Sequence, residues 1–349
     1  MARLHLAPTE LARTMLLREG VAAEAIELTG NTVVDAARQM AALLPADGAP
    51  PVGAPVLGIM MPLPPVLLAL TGCGKKSSKE FFAAQTKDRP FFLYVAFGAM
   101  HAPHQAPQSY LDKWRGKFDE GYEVIRQRWF DRQLELGIVP PDTTLAPLNP
   151  GVPRWTDLTD NQRAFSCRLQ EAFAAMLEHT DDQIGRLVAY LEDRDLIDDT
   201  VILVMSDNGA SREGGPFGVM DEFSFFNGMW EDIDAIVADR LDDIGGPHSH
   251  SNYPWGWAQA GNTPFKWYKQ NTHEGGVHVP MIVHWPARIA EGGGVRHQFH
   301  HVNDIVPTIY EAIGITPPDT YRGFEQMPVT GTPYCMPAST LLVPEQPPR

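Results

Sequence analysis

The chain has 349 residues, 44% of them hydrophobic and 20% charged, which is enough apolar side chain to bury a sizeable core and excludes wholesale disorder. Lys and Arg number 28 against 43 Asp and Glu, a formal net charge of −15. That balance argues against a nucleic-acid partner, because tracking a phosphate backbone needs a basic face, and it suits a site that gathers acidic groups around a cation.

Three cysteines, Cys73, Cys167 and Cys335, are too few for a disulfide scaffold. No proline-free run of about 20 apolar residues occurs, so no transmembrane segment is expected. Residues 1–50 read as short helices and loops, residues 51–78 as an apolar linker rich in Pro and Gly, and residues 79–349 as the main domain. The last stretch, Pro337 to Arg349, holds four prolines and no periodicity, and reads as a frayed or truncated end.

The main domain alternates strand and helix. Phe91 to Phe97 is a continuous apolar run of the kind buried on both faces in a parallel sheet. Thr200 to Met205 is a second such run, and Val279 to Val283 a weaker third. Between the first two, Thr159 and Gln162 carry a capping-box signature. Phe165, Leu169, Phe173, Met176, Ile184, Leu187 and Leu191 then follow at three- and four-residue spacing, which predicts a long amphipathic helix. Strand, helix, strand is the unit of an open α/β sheet, and ligands collect beyond the carboxyl ends of such strands.

Three polar loops belong to those strands. The first carries His101 and His104 among Pro103 and Pro107, and an imidazole on a stiff loop can donate to an oxyanion or ligate a metal. The second is Ser206-Asp207-Asn208-Gly209, whose side-chain oxygens suit a hard cation and whose composition equally suits a plain Asx turn. The third runs from Asn262 through Lys266 and Lys269 to Gly275-Gly276, and a lysine there is a point charge fit for an anionic oxygen. Each loop alone reads as solvated surface; together they predict a site for an anion beside a cation.

The order His-x-Pro, strand-Asp-Asn-Gly, Lys and then Glu-Gly-Gly resembles the sulfatase family of the alkaline-phosphatase-like superfamily, specifically the second half of the larger bacterial arylsulfatases. The resemblance spans roughly Pro90 to Pro333 and includes Glu178-His179-Thr180-Asp181, Gly214-Gly215-Pro216, Trp255-Gly256-Trp257-Ala258 and His301 to Thr308. It implies an α/β fold with a mostly parallel sheet, flanking helices and missing N-terminal strands. It implies a small-molecule sulfate ester as substrate, cleaved at the S–O bond, with Ca²⁺ as cofactor. Residue by residue, it makes Asp207 and Asn208 metal ligands and makes Lys269 and His101 the groups that contact the sulfate; His104 receives no role.

The sequence also departs from that family. No Cys-x-Pro-Ser-Arg motif, whose Cys or Ser becomes the formylglycine nucleophile in these enzymes, and no paired aspartates precede Phe91. Cys73 lacks the following proline and arginine, and Cys335 has the proline but Ser where Arg is needed. Cys167 falls on the apolar side of the long helix and reads as a small buried hydrophobe. Residues 5–40 resemble instead a fragment of non-hydrolysing UDP-N-acetylglucosamine 2-epimerases, with His5 on a histidine important to that family. Leu70-Thr71-Gly72-Cys73 looks like a lipoprotein processing box, although prolines interrupt the run before it and a plain linker explains it.

The chain therefore reads as chimeric: an impaired or inactive sulfatase-like hydrolase. The alternatives are a phosphate or phosphonate ester hydrolase of the same superfamily and a non-catalytic anion-binding remnant. The acidic stretch from Asp221 to Asp243 is expected to be a solvated, mobile insertion, and His248-Ser249-His250 a polar turn.

Overall fold

The computed structural model of the protein describes residues 91–333, apart from positions 290, 322, 327, 330 and 332, together with three short strands earlier in the chain. Those strands are β1 (His5–Ala7) and β2 (Ile26–Leu28), which pair in parallel, and β3 (Val56–Met61). The side chain of His5, the epimerase-like stretch outside β1 and β2, the processing-box residues, Cys73, Cys335 and the proline-rich tail lie outside the described residues.

The first apolar run forms β4 (Phe92–Ala96). Helices α1 (Gln108–Trp114), α2 (Tyr122–Glu135) and α3 (Asp160–Glu192) follow, and then β5 (Val201–Ser206) on the second run. A long excursion carries α4 (Glu222–Phe226), α5 (Ile233–Asp239), α6 (Trp255–Gly261) and α7 (Glu274–Val277) before β6 (Met281–His284). The sheet order is β4-β3-β5-β6, so a strand from the segment read as a linker lies between the two apolar runs.

The pairing of β6 differs from a parallel sheet. It runs antiparallel to β5, with Ile202 opposite His284 and Met205 opposite Met281. The cause lies just outside the strands. Gly209 N donates to Gly276 O at 3.0 Å, so the chain re-enters the sheet where β5 has just left it and has to run back alongside. The Lys269 loop thus precedes its strand, yet lies at the carboxyl end of β5.

Helix α3 has 33 residues and begins as the sequence predicts. Thr159 Oγ1 accepts from Gln162 N at 3.2 Å and Gln162 Oε1 accepts from Thr159 N at 2.9 Å, which satisfies two backbone donors at the helix start. Its inner face buries Phe165, Leu169, Ala172 and Ala175 completely. An Arg168–Glu171 ion pair at 3.1 Å lies on the same helix with both side chains buried, and Glu171 Oε1 also accepts from Gly116 N at 2.7 Å. A buried charge needs such partners to offset its desolvation.

Helix α6 drives Trp257 into this core, where Nε1 donates to Ser166 Oγ at 2.9 Å and the ring stands edge-on to Phe118 and Tyr122 at 5.3 and 5.7 Å. Such edge-to-face pairs add to the area they bury. The neighbouring Gly256 is required, since a Cβ there would lie 2.4 Å from the Tyr122 ring. Cys167 is buried, and burial pushes its thiol up to about 12, the behaviour of a small hydrophobe.

The acidic stretch, mostly exposed, forms two short helices. Its carboxylates satisfy backbone donors: Asp221 Oδ1 accepts from Phe223 N at 3.0 Å and Asp232 Oδ1 from Ala235 N at 3.1 Å, capping α4 and α5. Glu231 accepts from Met220 N and Asp221 N at 2.7 and 2.8 Å. Glu222 is buried and accepts from Asn252 Nδ2 at 2.9 Å, and His250 Nε2 lies 3.7 Å from its other oxygen.

Residues 298–333 belong to a separate packing unit. It contains α8 (Ile305–Ile313), closed by Gly314 in the left-handed conformation at φ 67°, and the antiparallel pair β7 (Thr320–Tyr321) and β8 (Phe324–Glu325).

Candidate active site

Two loops are stitched together at the end of β5. Ala210 N donates to Asn262 Oδ1 at 2.8 Å, Asn262 Nδ2 donates to Trp267 O at 3.0 Å, and Lys269 N donates to Ala210 O at 3.0 Å. Asn262 is buried, so one amide side chain ties the Asp207 loop to the Lys269 loop. Gly209 makes the junction possible, since a Cβ there would fall 1.7 Å from Gly275 O. Behind the junction, Trp267 N donates to Asn149 Oδ1 at 3.2 Å, and the buried Arg126 donates to Ala146 O at 2.6 Å and Pro264 O at 3.4 Å.

The predicted groups meet on this frame. Lys269 Nζ lies 3.4 Å from His101 Nε2 and 3.5 Å from Glu213 Oε1. His101 Nδ1 lies 2.9 Å from Ala102 O. A carbonyl only accepts, so Nδ1 carries the hydrogen of that bond. Asp207 is half-buried; burial raises its carboxyl above the usual range, while backbone hydrogen bonds and the attraction of Lys269 and His101 work against that rise. Its Oδ1 is buried without a hydrogen-bond partner.

The outcome differs among the sequence-predicted residues. His101, Lys269 and Asp207 act on one another electrostatically within one corner. Asn208 is next in the chain, and its Nδ2 donates to Gly209 O at 3.0 Å, which leaves the amide oxygen as the atom it can offer a cation. His104 stands apart from the chemistry: it is buried, stacked on Tyr253 at 4.9 Å and edge-on to Phe173 at 5.2 Å. Burial pulls its imidazole down to about 3, so it is a neutral core histidine.

Three further residues belong to the corner and escape sequence reasoning. Glu213 is buried beside Lys269, and its carboxylate also accepts from Gln270 Nε2 at 2.9 Å and from Ser211 Oγ. Asn262 is the tie described above. Tyr94, on β4, has a buried hydroxyl without a hydrogen-bond partner, and burial, with Asp207 adding to it, raises the phenol to about 12. Glu213 lies just before the Gly214-Gly215-Pro216 stretch, and nothing in that spacing points to Lys269.

A hard cation fits part of this corner. The orphaned, buried Asp207 Oδ1 and the Asn208 amide oxygen are oxygen donors of the right chemistry. Among the described residues no group of three or more His, Cys, Asp or Glu side chains forms a metal cage, and no helix is long and apolar enough to cross a membrane.

Comparison with known proteins agrees with the geometry. The Sulfatase family model matches residues 75–315. An uncharacterized sulfatase of Schizosaccharomyces pombe is 33% identical over 250 residues, covering 71% of this chain and 44% of the relative. An arylsulfatase of Klebsiella aerogenes is 29% identical over 259 residues, covering 73% and 53%. The human N-acetylgalactosamine-6-sulfatase is 23% identical over 250 residues, covering 71% and 30%. The chain thus spans about half the length, or less, of the curated relatives it matches. With its matched segment covering every loop of the site, the chain belongs to the sulfatase family.

Proposed function

We propose that this chain carries the sulfate-recognising part of a sulfate ester hydrolase, within an alkaline-phosphatase-like fold, and that the 349 residues alone have little or no sulfatase activity. The observation that carries the reading is the contact of Lys269 Nζ with His101 Nε2 at 3.4 Å beside the half-buried Asp207. A sulfate monoester is an anion whose leaving oxygen gains charge as the S–O bond breaks. Fixed donors and cations aimed at such oxygens stabilise that charge without reorganising.

Lys269 is the group that binds a sulfate oxygen. His101 is the imidazole beside it, its ring oriented by the Nδ1 contact with Ala102 O. Asp207 and Asn208 would hold Ca²⁺ through their oxygens, and the cation when bound supplies positive charge that draws the anion in and polarises its oxygens. Burial of Asp207 supports that role, since a carboxylate held above its usual range is relieved by a cation. The absence of Cys-x-Pro-Ser-Arg from the sequence supports weak chemistry, because single catalytic groups are worth roughly 10²–10⁴-fold in rate.

The test is calorimetry and turnover with 4-nitrophenyl sulfate in the presence of CaCl₂. Binding that Lys269→Ala abolishes, without release of nitrophenol, is the expected result. Turnover that Lys269→Ala removes would refute the inactive part of the reading, and failure of the wild-type chain to bind the ester would refute recognition itself.

A further inference from the structure

Lys269 is not a bare ammonium. Glu213 Oε1 lies 3.5 Å from its Nζ, and the carboxylate is locked from the other sides. Gln270 Nε2 donates to Oε1 at 2.9 Å, Ser211 Oγ holds Oε2, and the same Ser211 Oγ accepts from Glu213 N at 3.2 Å. Asn252 Nδ2, fully buried, adds a contact to Ser211 Oγ at 3.4 Å. The side chain of Glu213 is 10% exposed and that of Lys269 22%. The corner thus sets a carboxylate, largely buried and held by hydrogen bonds, 3.5 Å from the ammonium.

A charge so placed acts on a ligand in proportion to the ligand's own charge. A sulfate monoester is a monoanion at all ordinary pH values. A phosphate monoester of the same shape loses its second proton near pH 6 and is a dianion above it. Both present three oxygens in the same geometry, so hydrogen bonding to Lys269 and His101 cannot separate them. Charge can: Glu213 cancels part of the ammonium's field, and the remaining repulsion weighs on the dianion twice as heavily.

We propose that Glu213 is a specificity-determining positioning residue, which acts through Lys269 to favour monoanionic sulfate esters over dianionic phosphate esters. The inference rests on the reading of this corner as an anion site and adds which anion it prefers. Removing the charge without removing the shape shifts the preference toward the dianion. Unit charges several ångström apart near a protein surface interact strongly enough that the shift in the ratio of affinities is about tenfold or more.

The experiment is isothermal titration of the full chain with 4-nitrophenyl sulfate and with 4-nitrophenyl phosphate at pH 8, in wild type, Glu213→Gln and Glu213→Asp. Wild type and Glu213→Asp are expected to prefer the sulfate ester. Glu213→Gln is expected to lose about tenfold or more of that preference, with the gain on the phosphate side. A merely structural Glu213 would weaken both esters alike, and an unchanged ratio in a folded Glu213→Gln overturns the inference while leaving anion recognition standing. Wild-type chain that binds neither ester overturns both. A second measurement needs no variant. The affinity of wild type for the phosphate ester, taken relative to the sulfate ester, is expected to fall as pH rises from 5 to 8, and a flat or rising ratio overturns the inference.

Discussion

Gly209 joins the two halves of the site, and replacing it is a sharp test of how the corner is built. In Gly209→Ala the new methyl would fall 1.7 Å from Gly275 O, roughly half a normal carbon–oxygen contact. The obstacle is backbone, so no side chain can swing away. Relief requires the Asp207 loop and the Gly275 turn to separate by more than an ångström, which breaks the Gly209 N to Gly276 O hydrogen bond of 3.0 Å. Overpacking of this kind costs about 1–3 kcal/mol, and the lost hydrogen bond about 0.5–1.5 kcal/mol. The sum, about 1.5–4.5 kcal/mol, is a large fraction of the stability of an ordinary domain. Urea unfolding followed by tryptophan fluorescence measures it, and 4-nitrophenyl sulfate titration reads the site in parallel. A loss of stability below about 0.5 kcal/mol with unchanged ester binding would refute the close approach of the loops.

Two more outcomes follow from the same corner. Asn262→Ala leaves Ala210 N and Trp267 O without the partners they have at 2.8 and 3.0 Å. It should therefore cost about 2–4 kcal/mol in urea unfolding and weaken ester binding; a loss confined to stability would mean that Asn262 does not set the position of Lys269. Asp207 has a carboxyl raised by burial, so the folded chain holds that proton more tightly than the unfolded chain. Its contribution is fully present below the ordinary carboxylate range and is lost as pH rises through the raised value. In a chelator-containing buffer, Asp207→Asn should therefore flatten the fall of Tm above that range and melt higher than wild type at pH 8, and a lower Tm for the variant would contradict the burial penalty.

Much of the fold was legible because its signals are local. The apolar runs at 91–97 and 200–205 became β4 and β5, and the Thr159–Gln162 box opened α3 as expected. What could not be read was long-range. The return of β6 antiparallel to β5 depends on the Gly209–Gly276 contact, which joins residues far apart in sequence. The carboxylates of the acidic stretch were spent on backbone donors of α4 and α5, a use that composition cannot distinguish from solvation.

The site shows the same division. His101, Asp207 and Lys269 were visible by residue type and motif order, and the fold brings them to one corner. His104, three residues after His101 in the sequence, is walled in by Tyr253 and Phe173. Glu213 and Asn262 were hidden because neither has a motif of its own, and each works only through a neighbour that the fold supplies.

The most direct test of the central claim is thermodynamic coupling between the cation and the anion. If Asp207 and Asn208 hold Ca²⁺ beside the oxygens that Lys269 binds, the affinity for 4-nitrophenyl sulfate should rise about tenfold when CaCl₂ is added, and the affinity for Ca²⁺ should rise by the same factor when the ester is present. Asp207→Ala should abolish that coupling. Ester binding that is indifferent to Ca²⁺ in wild type, or identical coupling in wild type and Asp207→Ala, would contradict a single site built from these three loops.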